Sequence, residues 1–470
     1  MSLSSSLFSG ISGLSTLGNA MQIIGDNIAN VNTVGFKSSS FAFQDLLSQS
    51  VATLSGTSQV GRGTALGDIQ ASFEQGSFES TGNTTDLAIG GDGFFALKGQ
   101  GTQNLYYSRA GNFNFNENGY LTNPGGYIVQ GWQLDSKGDD VGSITDIVMS
   151  SFTSPPKVTD NVEVIVNLNS AGKDNSSGTD ASLSGAWDGT NATPLADTAY
   201  EYQTTIRAYD SLGSTHDITL YFDKAATSSA YEFIVTGNPS EDYRTGAAGN
   251  TWAGSFARGI IDFDSSGSMT DIDLWQINPS DGSSVVQVEG TDTSNGYFTF
   301  SPVFLSGGSA QSIELNLGTR YDGTNWVNNS LSSSQYASAS TTTFQSANGY
   351  GAGDLGGVNV DVDGVITGSY SNGQLIPLYR VGLAKFQNTQ GLFKEGGNLY
   401  SETRQSGSAI TNRPGTNGLG SIAPNALEQS NVDIANELVK MIITQRGFQA
   451  NSKIITVTDQ MLSELINIKR

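Results

Sequence analysis

Residues 3 to 37 read LSSSLFSGISGLSTLGNAMQIIGDNIANVNTVGFK, a stretch with one acid, Asp26, one base, Lys37, and no proline. Apolar residues recur seven apart at Leu7, Leu14, Met21 and Ile28, and a second series runs Leu3, Leu17, Ile24 and Val31, broken at Gly10. Two apolar stripes at a seven-residue period are the pattern of a helix whose seam faces other helices. Gly10, Gly13, Gly18 and Gly25 each cost roughly 1 kcal/mol in a helix interior, which makes sense where helices approach closely. The other end repeats the pattern. Ile434, Met441, Phe448, Ile455 and Leu462 are seven apart, with a half-polar companion series at Leu438, Gln445, Ser452, Asp459 and Ile466. A helix is predicted at each end. The period alone leaves open whether each lies on the chain's own core or in a bundle. Weak, neutral, heptad-bearing ends read as segments that are mobile in the monomer and order when many copies pack together.

Working inward, the composition changes. The 470 residues carry a net charge of -22, yet residues 1 to 40 and 431 to 470 together sum to +1, so the middle holds -23. Such a surface argues against a nucleic-acid partner. Prolines run only from Pro124 to Pro424, leaving both ends free of helix breakers. With 58 Gly and 14% charged residues in the whole chain, against a typical ~25%, the composition is the polar, turn-rich one of a β-protein. Short alternating runs at Tyr120 to Trp132, Val162 to Leu168, Ile218 to Phe222, Tyr231 to Val235, Tyr297 to Leu305, Ile313 to Leu317 and Val358 to Ile366 are separated by Gly, Asn, Asp and Ser clusters, the signature of hairpins and sandwiches. A break at Ser154-Pro155-Pro156 opens an inserted β-domain, or two, over residues 151–345, with low-complexity loops at Asn175 to Asp180 and Ser332 to Thr343. The flanks, 80–150 and 346–430, then combine into one inner β-domain by antiparallel pairing, and 35–79 is a linker. The fold class is mainly β with α-helical termini.

Chemistry is hard to find. There is no Cys, which removes disulfides, thiolate metal sites and thiol catalysis. The one histidine, His216, sits in a strand-like run beside Asp217 and reads as an ordinary polar strand residue. Gly351-x-Gly353-x-x-Gly356 is followed by a strand-like run, where a dinucleotide site needs a helix. Three partial calcium-loop matches begin at Asn114, Asp262 and Asn359, but position 12 is Gly125, Asp273 and Tyr370, where the bidentate Glu belongs. They read as tight hairpin turns, because Asn-Gly and Asp-Gly supply positive φ. No run approaches 18 consecutive apolar residues, and the N-terminus has no Sec-type signal. The expectation is a protein that is not an enzyme, holds no cofactor or metal and inserts in no membrane.

The run Asn27-Ile28-Ala29-Asn30-Val31-Asn32-Thr33-Val34-Gly35-Phe36-Lys37 resembles the N-terminal signature of the bacterial flagellar axial proteins, the rod and hook group. The run from Ser430-Asn431-Val432-Asp433 through Glu437-Leu438-Val439, Gln445-Arg446, Gln449-Ala450-Asn451 and Asp459-Gln460-Met461-Leu462 to Ile468-Lys469-Arg470 is similar to that family's other end. Thr81 to Ile89, Gly93-Phe94-Phe95, Ser108 to Phe113 and Tyr370 to Gln374 match it as well. The large insert resembles the hook branch; a distal rod or other axial protein with an enlarged insert is the alternative.

The resemblance implies that the terminal helices, residues 1–34 and 431–470, pair as a coiled coil in the core of a tube built from many copies. The two heptad seams would then serve self-assembly, and Asn27, Asn30, Asn32, Gly35, Phe36, Gln445, Arg446, Gln449 and Asn451 carry the family motif. It further implies a structural subunit of a curved, flexible universal joint transmitting motor torque to the filament. Its partners would be its own copies, the distal rod protein, the hook cap, the hook-filament junction protein and the flagellar type III export apparatus, through which it leaves the cell as an unfolded thread. The absence of Cys suits that route.

Overall fold

The computed structural model describes residues 3–53, 56–149, 152–175, 182–226, 229–288 and 292–468. Most of the loop read at Asn175 to Asp180, and Lys469-Arg470 of the C-terminal run, lie outside the described residues. Both terminal helices form, over Leu3–Ala29 and Ile434–Ile468. The C-terminal one starts at Asp433, whose Oδ1 accepts from the backbone N–H of Ala435 (2.8 Å) and Asn436 (3.2 Å), satisfying donors that a helix start leaves free. Glu437 in its first turn suits the positive end of the helix dipole.

Contacts divide the chain into two compact units, Met1–Phe152 with Leu355–Arg470, and Thr153–Asp354. In the first, the two helices pack on each other. The stretch expected to be a linker is a hairpin: Ser39–Asp45 pairs antiparallel with Thr64–Ala71, and Gln49–Thr53 with Gly56–Val60. Ser39–Asp45 and Thr64–Ala71 lie against the N-terminal helix, where the Thr64 N–H reaches Ser12 Oγ at 3.3 Å. The alternation that marks a strand is missing from the sequence because this hairpin buries little of either face.

The rest of the first unit joins residues from before and after the insert. Ile128–Leu134 pairs with Leu375–Val381, Phe94–Lys98 with Leu383–Lys385, and Leu87–Gly90 with Ser421–Pro424, all antiparallel. These ladders join segments that lie on either side of residues 153–354 in the sequence. Leu87, Ile89, Phe95, Leu97, Phe113, Val129, Val381 and Leu383 form its core.

In the second unit, Tyr202–Tyr209, Thr215–Lys224, Ala230–Thr236, Ser255–Phe263, Met269–Ile277 and Ser284–Val286 form an antiparallel meander in sequence order. A second sheet is built around Asn161–Asn169, which runs parallel to Ile313–Asn316 and Ser334–Tyr336 and antiparallel to Thr341–Ala347. One cluster, including Val164, Val166, Phe222, Phe233, Phe256 and Phe300, fills the space between the sheets.

The three calcium-like stretches are hairpin turns. Asn116, Asp264 and Asp361 each accept two backbone N–H groups on one side-chain oxygen, and Gly119, Gly267 and Gly364 follow at positive φ. His216 lies in the strand Thr215–Lys224 with Nδ1 2.6 Å from Glu241 and Nε2 3.4 Å from Asp210, its ring stacked on Phe304. Both ring nitrogens are engaged by carboxylates, as suits a structural residue.

Candidate functional site

The terminal helices run antiparallel, and small residues let them approach. A Cβ added at Gly10 would lie 3.1 Å from Ile455 Cγ1, one at Gly13 would lie 2.9 Å from the Asn451 amide, and one at Gly447 would lie 3.2 Å from Leu17. Further along, Asn27 donates to Glu437 Oε2 at 3.3 Å. On the N-terminal helix the buried positions are Gly10, Gly13, Thr16, Ala20, Ile24 and Asn27. On the C-terminal helix Glu437, Thr444 and Thr458 are buried, with Met441, Gly447, Asn451, Ile455 and Leu462 half-buried.

The contact therefore uses part of the expected seam. Ile24 is buried, and Leu7, Leu14, Leu17, Met21, Ile28 and Val31 are half-buried. Met441, Ile455 and Leu462 belong to the expected apolar stripe, but Ile434 and Phe448 of the same stripe are exposed, as are Leu438 and Ile466 of its companion. Within the chain the companion is instead Glu437, Thr444, Asn451 and Thr458, again seven apart. The sequence signal for this face is a stripe of small and hydroxylic residues, which a search for large apolar residues passes over.

The motif residues join the helix pair to the hairpin and the β-body. Asn27 is buried; its amide donates to the Ser39 carbonyl and accepts from the Ser39 N–H, both at 2.9 Å, fixing the first residue of the hairpin. The Asn30 amide bends back to Asp26, finishing the helix. Gly35 turns the chain at φ 68°, where an added Cβ would sit 2.5 Å from Ala110 N; only glycine fits. Phe36 is buried with Lys394 Nζ over its ring at 5.8 Å. Asn32, Gln445, Arg446 and Gln449 are exposed, and Asn451 bonds back to the Gly447 carbonyl at 3.1 Å.

This contact leaves many large apolar residues exposed. Leu438, Val439, Ile442, Ile443, Phe448, Ile454, Val457, Met461 and Ile466 of the C-terminal helix are exposed, with Phe8 and Ile11 of the N-terminal helix. The hairpin adds Phe43, Leu46, Leu47 and Ile69. Exposed apolar surface on this scale marks an interaction site. Charge is sparse there and dense elsewhere: residues 153–354 hold 23 acids against 7 bases, a net -16.

Paired terminal helices flank, in sequence, a β-body with an inserted β-unit, and family models along the chain place it among the axial subunits of the flagellar rod and hook. Residues 7–37 match the Flagella basal body rod protein, and 423–468 the Flagellar basal body rod FlgEFG protein C-terminal. Residues 88–167 match the Flagellar hook protein FlgE/F/G D1 domain, and 167–350 the Flagellar basal body protein FlaE D2 domain. Among whole proteins, the chain is 33% identical to the flagellar hook protein FlgE of Borreliella burgdorferi, covering 99% of each chain. It is 31% identical to that of Treponema pallidum over 99% of each, and 29% to that of Escherichia coli over 98% of each. The chain belongs to the flagellar hook protein family. That is a family of structural flagellar proteins.

Proposed function

We propose that this chain polymerises through its terminal helices into the flagellar hook, a curved, flexible tube that works as a universal joint carrying motor torque to the filament. The observation behind this reading is the outward face of the C-terminal helix. Ile442, Ile443, Val457 and Ile466 are exposed although the inner face already has a partner. A second copy of the chain, presenting the same surfaces in a repeating head-to-tail contact, covers such a face and generates a helical assembly.

In this reading residues 1–34 and 431–470 form the tube core, 35–79 connect it to an inner β-domain of 80–150 and 346–430, and 151–345 is the inserted domain. The seam residues act in self-assembly, the exposed ones between copies. The other partners are the distal rod protein, the hook cap, the hook-filament junction protein and the type III export apparatus. The chain travels through the last as an unfolded thread, to which the absence of Cys is suited. Heating the purified protein and imaging it by cryo-microscopy tests this: curved tubes are expected, and none after deletion of residues 1–30 or 440–470. Tubes from either truncated chain would refute the assigned role of the helices, and straight, stiff tubes from the full chain would point to a distal rod protein.

A further inference from the structure

Four distant segments meet at one buried carboxylate. Lys37 Nζ donates to Glu428 Oε1 at 2.7 Å and to the Glu74 carbonyl at 2.7 Å. The Gly76 N–H donates to Glu428 Oε1 at 2.9 Å, and Arg109 Nη1 approaches Glu428 Oε2 at 3.5 Å. The Lys37 and Glu428 side chains are 0% exposed and that of Arg109 3%. Arg109 Nε is buried without a hydrogen-bond partner, and its guanidinium lies 5.4 Å from the Phe94 ring centre. Asp92 also attracts Arg109, but its side chain is 76% exposed, so water screens it. Two buried cations thus share one buried carboxylate. Burial lowers the pKa of both cations, with Glu428 opposing. Backbone N–H groups tie the same segments together: Gly35 N–H donates to the Glu428 carbonyl (2.7 Å), Gln429 N–H to the Ser77 carbonyl (2.8 Å), and Ser38 N–H to the Asn431 side-chain Oδ1 (2.8 Å).

Glu428 lies 391 residues from Lys37 and 319 from Arg109. A buried cation without its counter-charge is among the costliest defects in a fold. We propose that Glu428 is a completion latch: the neighbourhood of Lys37 and Arg109 cannot close until the 426–431 segment arrives, so this part of the first unit folds only when the whole chain is present. For a subunit that travels unfolded, a use that rests on the proposed hook function, the latch delays folding until the thread has passed. The latch itself is independent of that reading, and refolding purified full-length protein tests it separately.

In pulse-labelled hydrogen exchange during refolding, the amides of 35–38, 74–78 and 107–110 should gain protection in the same phase as those of 426–431. Protection of 35–38 and 107–110 in an earlier phase than 426–431 would overturn the proposal. Glu428→Gln should lower the folding equilibrium constant of the first unit at least 100-fold. Adding Lys37→Met to it should recover at least tenfold, because one uncompensated cation is removed; a double variant no more stable than Glu428→Gln would overturn the proposal. Lys37→Met alone leaves one cation with one carboxylate and should stay within tenfold of the parent. A loss as large as that expected of Glu428→Gln would refute the charge imbalance even if the glutamine variant never folds.

Discussion

Ile443→Ser and Ile24→Ala should separate the two faces of the helix pair. Ile443 is 65% exposed in the single chain, whereas Ile24 is 0% exposed. Isoleucine and serine have similar helix propensities, so the first substitution changes little besides apolar surface. Full burial of an isoleucine contributes about 1.5–3 kcal/mol. Covering the exposed two-thirds of Ile443 in an assembly therefore contributes about 1–2 kcal/mol per subunit. At about 1.4 kcal/mol per tenfold, its loss raises the critical concentration for polymerisation roughly 5- to 30-fold. Ile24→Ala removes packed atoms and leaves a cavity, at about 2–5 kcal/mol, within the single chain. Sedimentation of polymer against free subunit measures the first effect, and hydrogen exchange of helix amides in dilute monomer the second. An Ile443→Ser variant that weakens the monomer helices as much as Ile24→Ala does, or that leaves the critical concentration unchanged, would overturn the assignment of the two faces.

The four helix glycines should fall into two classes. A Cβ at Gly18 or Gly25 meets nothing within 4 Å, so Gly18→Ala and Gly25→Ala should each stabilise the helix by about 1 kcal/mol, seen as added helical signal in circular dichroism, whereas Gly13→Val should lose pairing against Asn451. Gly35→Ala should destabilise the first unit by more than about 2 kcal/mol, since it adds a left-handed residue of cost roughly 1–2 kcal/mol to the clash with Ala110; denaturant unfolding of that unit is the readout. Alkaline pH should unfold the same unit. Burial pushes Tyr107 and Tyr400 up to about 12 from 10.0, with the charge of Glu402 adding to the shift at Tyr107. Their contribution is complete below pH 10, where unfolded tyrosines are still protonated, and is lost as pH rises to about 12, at roughly 1.4 kcal/mol per pH unit for each. Lys37, lowered from 10.5, works in the opposite sense but only below 10.5, so tyrosinate absorbance should rise together with unfolding between about pH 10.5 and 12.

Both helices were legible in the sequence because proline is absent and apolar residues keep a period of seven, and the strand at Asn161–Asn169 was legible from Val162 to Leu168. Its partners were not. It pairs in parallel with segments some 150 residues further on, and hydrophobic alternation carries no record of which strand lies beside which. The hairpin of Ser39–Asp45 with Thr64–Ala71 reads as a linker in the sequence because burial along Ser39–Asp45 leaves most residues exposed, so selection for alternating apolar residues is weak. The helix contact misled for a different reason. Large residues dominate a periodicity search, but two helices come closest where residues are small, here at Gly10, Gly13 and Gly447. The charge cluster at Glu428 joins positions hundreds of residues apart, beyond any local pattern.

The division of charge mirrors the division of tasks. A subunit that packs tightly with its own copies needs neutral apolar surface, and a subunit that stays soluble before packing needs charge of one sign. Both demands on one surface would conflict, because like charges brought together in an interface oppose association. Here they are separated along the chain. The helical ends are close to neutral, while residues 153–354 carry -16, concentrated in a unit with its own core. At physiological ionic strength such repulsion reaches only about 8 Å, so an acidic residue weighs on an apolar contact only where it lies close to it. Transferring that charge to the exposed helical face would remove the driving force for association and leave the acidic unit without the charge that keeps it soluble.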